Sequence, residues 1–138
     1  MGGMDRGTGH SPSALQHEVT AAVHAAAGRR RGTLLVRNVR LVNVFTGEIY
    51  PADILIAGRL IAGIGPGYAA DEVIDGGGRY AIPGLIDGHM HFESSLLEPR
   101  EYARAVVPRG VTAVVADPHE MANVLGLDGI RYMLNASA

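Results

Sequence analysis

Cysteine is absent from the 138 residues, which excludes disulfides and thiolate metal ligands and suits a reducing compartment. Lysine is absent too, so all 12 basic side chains are arginine, a bias read as that of the source genome. No run approaches the roughly 20 apolar residues of a membrane span. The alanine-rich stretch at residues 20–27 is followed by Arg29, Arg30 and Arg31, whereas a secretory signal carries its positive charge ahead of the apolar region. Arg37 and Arg40 break the apolar run that a twin-arginine signal would need, which leaves the cytoplasm as the expected location. The net charge is -2 and no aromatics interleave the arginines, so the triple arginine reads as a solvated helix end, not a nucleic-acid contact.

What is present is concentrated at Pro83-Gly84-Leu85-Ile86-Asp87-Gly88-His89-Met90-His91. Side chains alternate faces along a strand, so His89 and His91 point one way and Gly88 and Met90 the other. That spacing makes a clamp for a metal ion, since neutral imidazole is a ready ligand. Asp87 and Glu93 share the parity and would extend the polar edge if the extended conformation continued through Glu93. A bare His-x-His is also common among histidines that are merely solvated. A second polar cluster, Asp117-Pro118-His119-Glu120, follows the apolar run at residues 111–116, and on its own it reads more readily as a turn and helix cap than as a functional group.

The first motif, with Phe92-Glu93-Ser94-Ser95, Asp117-Pro118-His119-Glu120-Met121-Ala122-Asn123-Val124 and Gly129-Ile130-Arg131-Tyr132-Met133-Leu134, resembles the adenine deaminase family of the amidohydrolase superfamily, metal-dependent hydrolases on a (β/α)8 barrel. The resemblance runs from about Thr33 onward. It implies hydrolysis of adenine to hypoxanthine and ammonia, with adenine as the small-molecule partner and neither nucleic acid nor membrane, and it leaves open a homo-oligomer. It implies that His89 and His91 ligate a divalent metal, manganese or iron, in a centre that is binuclear in the complete enzyme. Asp117, His119 and Glu120 would serve a second metal, a base or a proton shuttle, and Glu93 would orient a ligand or touch substrate. Many amidohydrolases bridge two metals with a carboxylated lysine, which this chain lacks; the adenine deaminases resemble one another in using a glutamate from further along. A hydrolase of cyclic amides would share the first motif without needing the second, and a non-catalytic fragment is the other alternative.

The expected fold class is α/β. Residues 1–10 are expected to be a disordered tail, and residues 11–31 an N-terminal helix capped by Ser11 or Ser13. Residues 32–79 are expected to be a small β-rich domain with a bend near Asn38 and a type II′ hairpin at Gly58-Arg59. The Gly76-Gly77-Gly78 triplet is expected to be a connector, not a phosphate loop. Residues 80–138 read as the first two β/α units of the barrel: buried strands at 81–87 and 111–116, with a helix opened by Glu98-Pro99 and running through Val107. A whole barrel takes about 250 residues, so the chain is expected to be an N-terminal part or a truncated frame. Ile130, Met133 and Leu134 have the spacing of a buried helix face, with four residues after them. His10, His17 and His24 are expected to be dispensable.

Overall fold

The structure, a computed structural model, describes residues 12–137; the expected tail, His10, the candidate cap Ser11 and the side chain of the other candidate, Ser13, lie outside what it describes. The chain divides into two compact units, Met1–Ile82 and Pro83–Ala138.

The first unit holds helix α1 (Pro12–Ala26) and strands β1 (Gly32–Val42), β2 (Ile49–Ala57), β3 (Leu60–Ile64), β4 (Ala70–Asp75) and β5 (Tyr80–Ala81). The sheet order is β3-β2-β1-β4, with β5 pairing β1. At the β2–β3 turn Gly58 has φ +62 and no positive φ occurs at Arg59. That suits a type II′ turn, since type I′ needs positive φ at both central residues. The bend in β1 is a register shift between Val36 and Val39. There Asn38 has φ +56, and its N–H donates to Asp53 Oδ1 at 2.8 Å. Ala22 and Ala25 of α1 lie against Leu35, Leu55, Ala57 and Ala70. Leu55 is fully enclosed, at 0% exposure, a burial that contributes on the order of 2 kcal/mol. His17 and His24 are exposed on α1, and Arg31 pairs with Asp71 at 3.0 Å.

The second unit holds β6 (Leu85–Met90), α2 (Phe92–Ser95), α3 (Pro99–Val106), a 3-10 turn at Val107–Arg109, β7 (Val111–Ala116), α4 (His119–Leu125) and α5 (Leu127–Ala136). Strands β6 and β7 are parallel, with Leu85 opposite Val111 and Met90 opposite Ala116. Both polar clusters therefore follow the same end of this sheet. Its core joins Met90, Phe92 and Met133, with Tyr102, Val114, Ala116 and Met121 packed on it. The mixed α/β arrangement is that expected of the class, while an eight-stranded barrel is not present in this chain.

Four expectations change. The run at 81–87 is not one strand: Tyr80–Ala81 joins the first sheet and β6 begins at Leu85, because Pro83 between them has no N–H for a ladder. The helix through Val107 ends at Val106 and tightens into the 3-10 turn, since Pro108 cannot donate to a carbonyl one turn back. The strands read as buried are only partly covered: Met90 is 9% exposed, but Ile86 is 69% and Val115 58% exposed. On α5, Met133 is buried, whereas Leu134 is 68% exposed. An apolar strand run records the hydrophobicity of both faces; which face is packed depends on elements elsewhere in the chain.

Candidate metal centre

The alternation in β6 survives one residue past its end. His91 has φ -120 and ψ 116, still extended, so its ring emerges on the same side as that of His89 while Met90 sinks into the core. The two Nε2 atoms converge to 3.0 Å, and the rings meet edge to face with centroids 4.8 Å apart.

The orientation of His91 has a clear cause. Its Nδ1 lies 2.9 Å from the backbone carbonyl oxygen of Asp117. A carbonyl only accepts, so Nδ1 carries the hydrogen and the neutral ring keeps its lone pair on Nε2, facing His89. This is the arrangement in which a ligating imidazole is steered by an outer hydrogen bond. The acceptor sits where it does because Asp117 directly follows β7, with its own N–H donating to Met90 O at 3.1 Å. Sequence reasoning missed this carbonyl, and a main-chain oxygen leaves no trace in residue identity.

Asp117 and His119 form the other half of the centre. Asp117 Oδ2 lies 3.0 Å from His119 Nδ1, with both side chains about half exposed. The His119 ring stands edge-on to that of His91 at 4.8 Å. Ligand atoms of His91, Asp117 and His119 all lie within 4.8 Å of one another, so His91 belongs to both the histidine pair and this triad. Glu120 is exposed in the first turn of α4 and makes no hydrogen bond or ion pair among the described residues.

The expected edge of four groups contracts. Asp87 Oδ1 accepts the N–H of His89 at 3.2 Å and so braces the strand. The extended conformation stops at His91, because α2 starts at Phe92. Glu93 is thereby carried off the strand face, and its Oε1 accepts the Met121 N–H at 3.1 Å; Oε2 is buried without a partner.

The donor set fits a divalent transition metal. For nitrogens about 2.1 Å from a shared ion, the 3.0 Å separation suits neighbouring positions in one coordination shell. Imidazole and carboxylate donors without sulfur suit metals from manganese to zinc.

Comparison with known proteins accords with this geometry. Residues 80–138 match the amidohydrolase family. The chain is 51% identical over 115 residues to an adenine deaminase of Kosmotoga olearia, covering 83% of this chain and 20% of that protein. It is 56% identical over 105 residues to an adenine deaminase of Oleidesulfovibrio alaskensis, covering 76% and 18%. The chain thus spans about a fifth of the length of the curated relatives it matches. Among solved structures, the N-acyl-D-glutamate deacylase of Bordetella bronchiseptica superposes with a TM-score of 0.54 at 21% identity, over 63% of this chain and 19% of that one, a likeness of fold. Through residues 80–138 the chain is similar to the amidohydrolase family, and over most of its length it is similar in sequence to the adenine deaminases.

Proposed function

We propose that the whole protein carrying this chain is an adenine aminohydrolase, converting adenine and water to hypoxanthine and ammonia in the cytoplasm. The observation that carries this reading is the identity of about 50% to proteins named adenine deaminase over most of the chain. The convergent Nε2 atoms supply a chemical basis for it. The fold likeness to a deacylase whose structure is described as complexed with zinc agrees with a metal-dependent reaction, and manganese or iron is the metal we assign. The segment at residues 80–138 corresponds to the opening β/α units of a (β/α)8 barrel.

The reaction breaks the C6–N bond of adenine and forms a C6–O bond, and it is slow unaided because the ring is electron-rich and ammonia leaves poorly. His89 and His91 would hold a divalent cation, which when bound would supply the lowering of a water's pKa to about 7 that makes it a nucleophile near neutral pH. The rest falls to the chain's own groups. Asp117 holds His119 through Nδ1, leaving Nε2 of that ring to take a proton from water and return one to the departing nitrogen. Glu120, unpaired and adjacent, is the second carrier. His91 is fixed by the Asp117 carbonyl, so ligand and proton carrier are held by a single residue.

The test is direct. Purified whole protein with manganese or iron is expected to release ammonia from adenine and yield hypoxanthine. Hydrolysis of dihydroorotate or a hydantoin with adenine left untouched would replace this reading with that of a cyclic-amide hydrolase.

A further inference from the structure

We infer that Glu93 is a positioning residue whose carboxyl oxygen, by accepting the Met121 N–H, sets where His119 and Glu120 stand relative to His89 and His91. The inference rests on the reading of the two clusters as one centre. Glu93 follows His91 by two residues, and the intervening Phe92 is buried in the core, so the carboxyl starts from a fixed base. Its Oε1 reaches across to α4 and takes the N–H of Met121 at 3.1 Å. The first N–H groups of a helix have no partner within it, and a side chain at the N-cap ordinarily serves them. Here the N-cap is Pro118, which makes no side-chain cap hydrogen bond. Glu93 therefore supplies from the β6 side the cap that α4 lacks locally. His119 and Glu120 are the two residues directly before Met121, so this one bond carries the placement of both.

The unpartnered oxygen separates reach from charge. Oε2 of Glu93 is buried and receives no donor among the described residues, so the bond to Met121 uses one carboxylate oxygen only. Glutamine keeps an acceptor at the same length. Aspartate keeps the charge but is one methylene too short to reach Met121.

The experiment compares Glu93→Gln and Glu93→Asp in the whole protein, each checked by its thermal midpoint for retained fold. Three quantities are read: metal bound per chain, kcat and KM for adenine, and hydrogen exchange at the Met121 amide. In Glu93→Asp the metal content is expected to hold, KM to change little, kcat to fall about 10- to 100-fold, and the Met121 amide to exchange about tenfold faster, the size of one lost hydrogen bond. Glu93→Gln is expected to recover slow exchange and most of kcat. Activity kept by aspartate and lost by glutamine would overturn the inference in favour of a charge acting directly. Loss in both variants, or in neither, would overturn it as well. Should the unsubstituted protein leave adenine untouched, the proposed function fails, while Met121 exchange in the two variants still decides whether Glu93 holds α4.

Discussion

His91 and His119 are presented by different means, and the difference predicts different sensitivities. The His91 ring is steered by a main-chain oxygen, which no substitution at Asp117 removes, whereas His119 is steered by the Asp117 carboxyl itself. Asp117→Asn is therefore expected to keep the metal and to lower kcat about 10- to 100-fold, the usual effect of losing an outer partner, as metal analysis beside steady-state kinetics would show. His89→Ala and His91→Ala are expected to lose the metal and to cost more than that range, because each removes a donor outright. Stoichiometric metal with full turnover in both would return these histidines to a packing role. At this scale the sequence was most legible where a period-2 pattern governed, as at His89 and His91. It was least legible at Glu93, whose strand parity pointed to the clamp until a short helix beginning at Phe92 turned it toward Met121.

Among the elements, two local contacts oppose what propensity alone suggests. Gly129 lies inside α5, where alanine is intrinsically better by about 1 kcal/mol. A Cβ there would run into the Met121 carbonyl oxygen, so α4 and α5 meet where only glycine fits. Gly129→Ala is expected to destabilise by about 1–3 kcal/mol as overpacking does, and a raised thermal midpoint would refute the close approach. At the end of β4, Asp75 receives the N–H of Gly77 at 2.8 Å and the Asn38 amide at 3.0 Å, with Arg37 beside it. Foremost the Gly77 N–H, then the Asn38 amide, hold its carboxyl below the ordinary value of 3.8. A depressed carboxyl contributes stability above its unfolded value and loses it as pH falls through the folded one. Asp75→Asn is thus expected to lower the midpoint near neutral pH and to make little difference well below 3.8, where both forms are neutral; an equal deficit at both pH values would exclude the linkage. The glycines after Asp75 thereby gain a structural reason, and the bend at Asn38, read from sequence as a bend alone, is tied to the same carboxyl.

In the whole molecule, two units carry the apolar pattern of a larger protein. Strands β6 and β7 pair only with each other among the described residues, and a lone pair of strands is marginal in water. With Ile86, Val115 and Leu134 open to solvent, the 138-residue chain by itself is expected to self-associate or bind a hydrophobic dye and to show no adenine turnover. A monodisperse sample with a cooperative melt and genuine deamination, free of host enzyme, would sink that expectation. The strand-helix alternation and the two polar clusters were readable from residue order because hydrophobic runs and Pro/Gly punctuation are local. The open faces were not, since burial on a given side depends on segments distant in sequence. The lodging of Met90 between His89 and His91 has a last consequence. A slip of β6 by one place would drive two imidazoles into the apolar interior and push a methionine into water, a double penalty. Misassembly of this strand cannot pass silently: the interaction that stabilises its hidden side also proofreads the reactive one.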